Sequence, residues 1–121
     1  MIGFQYLASP YSKYAGGLDA AAEEASRNAG LLIKAGIPVF CPISHSHAIA
    51  EATGIDPLDL HLWLAADRPL MEKADGLIVL MMDGWELSQG IFAETTCFQA
   101  MRKPITYMQP GIVPPFKAAR P

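Results

Sequence analysis

Apolar and polar positions alternate in blocks along this chain. Ile2 to Ala8 mixes apolar with small residues and then meets "SPYSKYAGG", which predicts a strand ending in a polar loop. Leu18 to Ala35 places Ala22, Ala25, Ala29, Leu32 and Ile33 at helical spacing, and Gly36 and Pro38 are fitting stops. Ile37 to Cys41 reads as a second short strand. Pro42 to Pro57 reads as a polar loop, with one helical turn around His47 to Ala52. Leu58 to Ala74 carries Leu60, Trp63, Leu64, Leu70 and Met71 on a helical pattern that Pro69 kinks or restarts. Leu77 to Met82 is the third apolar run, Ser88 to Arg102 the next helix, and Pro104 to Met108 a fourth strand before the Pro-rich tail "QPGIVPPFKAARP".

Strands alternating with helices imply right-handed crossovers and a parallel sheet covered on both faces. The expected fold is α/β, a flavodoxin-like or Rossmann-like three-layer sandwich. Its sheet has four strands ordered 2-1-3-4, or five if the tail adds one. Such sheets bind ligands outside the carboxyl ends of their strands. The polar chemistry sits in the loops after strands: "ASPYSKYAGG", "CPISHSH" and "MDGWELSQG".

Composition narrows the function classes. A chain of 121 residues is one domain, 1–121, and its 51% of apolar residues argues against disorder. A net charge of −3 without a basic run makes duplex nucleic acid a poor partner. No apolar stretch approaches the length that spans a membrane. The start, "MIGFQYLASPYSK", lacks the charged region of a signal peptide. Cys41 and Cys97 lie in apolar surroundings and read as free thiols of a reducing cytoplasm.

The stretch "MMDGWELSQGIFAE" concentrates the candidate chemistry. Ser88 is a natural helix N-cap. Glu94 then falls in the second turn, and its side chain leans toward the helix start, over the bare backbone of Gly90. Open amides at that end favour an anion such as a phosphate. A surface glutamate with a packing glycine would have the same spacing.

Three segments in order, "YLASPYS", "AADRPLMEKAD" and "DGWELSQGIFAE", resemble the nucleoside 2-deoxyribosyltransferase-like superfamily. The pattern is most similar to a bacterial and phage branch, and deoxynucleoside 5′-monophosphate N-glycosidases share the superfamily. The likeness covers about Ile2 to Met108. It implies that Glu94 is the nucleophile that attacks the anomeric carbon and displaces the base. It implies that Asp67 helps protonate the leaving base and that Tyr6 hydrogen-bonds the nucleophile. Ser88 stands where transferases acting on unphosphorylated nucleosides carry Asp and monophosphate hydrolases carry Ser. A hydroxyl can donate to a phosphate, whereas a carboxylate would repel it. The implied substrate is a nucleoside 5′-monophosphate, with no cofactor and no metal. The loop "SPY" differs from the glycine-containing loop of the hydrolases, which leaves base identity and sugar open.

Other positions have two readings each. Asp83 could bond sugar or base, or simply serve its loop. Trp85 could wall the base pocket or pack under the loop. Ser9, Ser12 and Lys13 could line a phosphate site. Asp75 reads as a turn residue. His45 and His47 beside Cys41 resemble a metal set but lack a fourth ligand at the usual spacing. Trp63, Leu64, Met71 and Phe98 offer apolar surface for core or for a homodimer. A deoxyribosyltransferase and a non-catalytic nucleotide sensor remain open beside the hydrolase. Cytokinin-activating phosphoribohydrolases are disfavoured, because their "PGGxGTxxE" loop is absent.

Overall fold

The computed structural model describes residues 3–116. Its elements are β1 (Gln5–Ala8), α1 (Leu18–Lys34), β2 (Val39–Phe40), α2 (Pro42–Thr53), α3 (Leu60–Lys73), β3 (Gly76–Leu80), a 3-10 turn (Trp85–Leu87), α4 (Gln89–Ala100) and β4 (Ile105–Met108). The four strands form one sheet in the order β2-β1-β3-β4, and every pair is parallel. This is the expected α/β architecture and strand order.

Strand geometry sends successive side chains to opposite faces. Leu7, Ile78 and Leu80 therefore meet Ala25, Ala29 and Leu32 of α1 on one side. Tyr6, Ala8, Leu77 and Val79 meet Met71 of α3 and Ile91 and Phe98 of α4 on the other. Both central strands are buried on both faces, which is why they read as nearly unbroken apolar runs. The small residues of α1 let that helix lie close to the sheet. It ends as expected: Gly36 adopts φ +86, its N–H bonds Ile33 O at 3.0 Å, and Ile37 N–H bonds Leu32 O at 3.0 Å. That pair of bonds satisfies carbonyls the helix would leave open.

The structure departs from expectation in three places. Pro42 to Thr53 is a helix of 12 residues rather than a loop with one turn. Its polar residues Ser44, His45, Ser46 and His47 run without a helical period, so the sequence hides it. Pro42 suits a first helical position, Gly54 closes the end at φ +77, and small buried side chains, Ser46 and Ala50, let it pack on the fold. The second strand contributes only Val39 and Phe40 to the ladder. The described part of the tail adds no fifth strand; it returns over α1, where Gly111 N–H bonds Asn28 Oδ1 at 2.7 Å and Val113 and Phe116 pack on the core. Residues 117–121, and Met1 and Ile2, lie outside the described part. Helix α3 continues through Pro69 to Lys73.

Candidate active site

The strand order reverses between β1 and β3, and a cavity of about 160 Å³ opens at their carboxyl ends. Ser9, Tyr11 and Ser12 reach it from the loop after β1, and Pro42 and Ile43 from the start of α2. Helix α3 supplies Leu60, Trp63, Leu64 and Asp67, and the start of α4 supplies Ser88, Gln89, Gly90 and Glu94. The walls are mostly apolar, with a few polar groups converging, as small-molecule sites are built.

Two carboxyl groups face this space while hidden from bulk water. Glu94 is 7% exposed and Asp67 5%. The Tyr6 hydroxyl donates to Glu94 Oε2 at 2.7 Å from inside the core. Tyr6 has one proton to give, and this is where it goes. Burial pushes the Glu94 carboxyl up to about 8, against the lowering effect of the Tyr6 bond and with a further rise from Asp67. Burial likewise raises Asp67 to about 6, with the His45 charge pulling it down. Burial and the neighbouring charge hold the Tyr6 phenol far above its ordinary range, so it remains a donor. Desolvation of the charged form outweighs the helix field one and a half turns away. The pair therefore shares about one proton near neutrality.

Ser88 caps α4. Its Oγ accepts from Ile91 N–H at 3.1 Å, which leaves the hydroxyl proton free to donate. The N–H groups of Gln89 and Gly90 belong to the open first turn. A Cβ on Gly90 would meet Leu60 Cδ1 and Ser88 Oγ at 3.8 Å, which is ordinary contact. Gly90 thus is not demanded by packing; its missing side chain is cavity space. Gly84 is the opposite case. It has φ +86, and a Cβ there would stand 2.3 Å from the Lys13 carbonyl oxygen. The two glycines of the stretch answer to different causes, a backbone crossing and an open cavity.

Tyr6, Ser9, Ser12, Asp67, Ser88, Gly90 and Glu94 are thus brought together around one space. Asp83 and Trp85 are not. Asp83 is exposed, and Trp85 turns to the core beneath α4 and to Tyr107, with ring centroids 5.8 Å apart. Trp85 is not among the residues that line the cavity. Lys13 is exposed and Asp75 precedes β3; neither lines it. Trp63, read as core or interface, is a cavity wall, held by its Nε1–H bond to Asp56 O at 2.9 Å. Tyr11 was missed, although its place in the loop after a strand was a usable signal.

The histidines separate. His45 packs edge-on against Phe40, with ring centroids 5.5 Å apart. His47 joins Tyr11 and Asp19. Among the described residues the metal-ligating atoms that converge, within 4.8 Å, belong to Asp19, His47 and Glu51, not to a His45–His47–Cys41 set. Burial raises the Cys41 thiol, which keeps it protonated and unreactive.

Residues 3–110 match the family described as Domain of unknown function (DUF1937). The chain belongs to this family. The matched span takes in all four strands and every cavity residue named above, so the cavity is built entirely within the DUF1937 domain. No curated protein matches the chain. Among the described residues no helix is long and apolar enough to cross a membrane.

Proposed function

We propose that this DUF1937 protein hydrolyses the N-glycosidic bond of a nucleoside or deoxynucleoside 5′-monophosphate. The observation that carries the reading is the pair of buried carboxyl groups, Glu94 and Asp67, on one cavity, one of them tied to Tyr6. The resemblance to the nucleoside 2-deoxyribosyltransferase-like superfamily supports the same roles.

In this reading the phosphate lies at the start of α4, against the Ser88 hydroxyl and the open amides. The sugar sits over Gly90. The reactive form has the proton on Asp67 and the charge on Glu94. Glu94 attacks the anomeric carbon, the C–N bond breaks, and its electrons pass to the base nitrogen, which takes the proton of Asp67. Water then attacks the glycosyl ester, giving its proton to Asp67 and returning Glu94. A carboxylate nucleophile with a second carboxyl as acid and base is the retaining solution for an oxocarbenium-like transition state. No cofactor is needed.

The protein acts as a homodimer in this proposal. Met71 and Phe98 are consumed by the monomer core, at 1% and 0% exposure, and cannot form the interface. Leu62, Leu87 and Phe92 on the α3–α4 side are 45%, 72% and 75% exposed and support it instead. The free thiols Cys41 and Cys97 suit a cytoplasmic setting.

The deciding experiment is a panel of ribo- and deoxynucleotides, with the matching nucleosides, scanned by chromatography for free base. Base should be released from monophosphates and at least about tenfold less from nucleosides, given the worth of charge-assisted hydrogen bonds. Formation of a new nucleotide when a second base is added would make the protein a transferase. Tight nucleotide binding without any release of base would make it a sensor.

A further inference from the structure

Tyr11 lines the candidate active site and also a second cavity of about 210 Å³, which Asp19, His47 and Glu51 border. Its hydroxyl lies 2.6 Å from His47 Nδ1, and His47 Nε2 lies 2.9 Å from Asp19 Oδ1. A carboxylate only accepts, so Nε2 carries the hydrogen, and in the neutral ring Nδ1 is then the acceptor. With the ring neutral, the Tyr11 hydroxyl donates to His47 Nδ1. Burial, together with the charges of Glu51 and Asp19, raises the phenol and keeps that proton on its oxygen. With the proton committed, the oxygen has only lone pairs left to offer a ligand. Ser9 marks the same wall independently. Its hydroxyl is buried at the cavity and has no partner among the described residues, a cost that a ligand's polar group removes.

We propose that Tyr11 is a specificity-determining contact that accepts a hydrogen bond from a hydroxyl or amino group of the ligand, with His47 and Asp19 as its positioning residues. The inference rests on the nucleotide reading above. It orients that ligand: phosphate oxygens are acceptors and go to α4, whereas the donor-bearing end faces Tyr11. The donor is a sugar hydroxyl or the amino group of a base.

The test compares kcat and KM for wild type, Tyr11→Phe, Asp19→Ala and Asp19→Asn on three kinds of monophosphate: amino-bearing bases, oxo bases, and sugars lacking the 3′-hydroxyl. Tyr11→Phe should raise KM about 3- to 10-fold, with kcat nearly unchanged, for ligands that carry the donor, and change nothing for the analogue that lacks it. Asp19→Ala, which removes the acceptor, should follow the same pattern, whereas Asp19→Asn, whose Oδ1 still accepts from Nε2, should stay near wild type. Whichever analogue is insensitive identifies the donor as sugar or base. A uniform loss across all ligands, or none, overturns the proposal. So does an equal loss when a chelator is added to wild type, which would assign Asp19, His47 and Glu51 to a cation. If wild type releases no base, the hydrolase reading fails separately, and the same comparison by equilibrium binding still tests Tyr11.

Discussion

The Tyr6 hydroxyl reaches Glu94 Oε2 at 2.7 Å and so ties the central strand of the sheet to the second turn of α4. The tyrosine ring is itself locked, with Phe40 and Phe98 at centroid distances of 5.7 and 5.6 Å. Tyr6→Phe keeps that packing and removes only the bond. It should fold normally and lower kcat about 10- to 100-fold, the worth of a hydrogen bond to a charged group. Steady-state rates beside a melting curve check this; an unchanged kcat would detach Tyr6 from the chemistry.

The carboxyl pair predicts a bell-shaped pH dependence of kcat/KM. In the proposed mechanism one proton must be shared between Glu94 and Asp67 for a nucleophile and an acid to coexist. Activity should fall below about 6, where both are protonated, and above about 8, where neither is. A rate still rising beyond pH 9 would contradict the assignment.

The same burial has a stability consequence with a definite sign. A carboxyl whose folded pKa is raised binds its proton more tightly when folded than when unfolded. Its favourable contribution is complete below the unfolded value of about 4 and is lost as pH rises through about 8. Glu94→Gln removes this dependence. It should abolish base release and raise stability at pH 8 by roughly 1–3 kcal/mol, with little effect at pH 4. Denaturant titrations at the two pH values would show it, and equal shifts at both would refute the linkage.

Gly90 separates stability from function. Alanine fits there without a clash and favours the helix, so Gly90→Ala should stabilise the fold by up to about 1 kcal/mol. The added methyl group enters the cavity, so KM should rise about tenfold or more. A melting curve and a kinetic assay on one variant test both halves.

Arg102 closes α4 with φ +57, while its N–H bonds Gln99 O and Lys103 N–H bonds Phe98 O, each at 3.0 Å. A left-handed conformation is costly for any residue with a Cβ. Arg102→Gly should therefore raise stability by about 0.5–1 kcal/mol, a few degrees in Tm, without touching activity. A lower Tm would mean that the arginine side chain contributes more than its backbone costs.

What the chain determined by itself is the architecture and the chemistry-bearing ends. Apolar runs for β1 and β3, a small-residue helix closed by Gly36, and Ser88 followed by Gly90 and Glu94 are local patterns. Local geometry translates such patterns directly into strands, caps and the residues that lie beside a helix start. Tertiary structure decided the rest, because it depends on partners distant in sequence. Helix α2 has no period of its own and forms where α1 and β1 receive it. Trp85 turns to Tyr107 and Trp63 to the cavity, a choice between two apolar environments that no local pattern records. Tyr11 gains its hydrogen-bond partner only when α1 and α2 bring Asp19 and His47 beside it. The protonation of Glu94 follows from how deeply the assembled fold buries it. Burial is a property of the whole packing, and for this carboxyl it outweighs the helix field that the sequence alone makes visible.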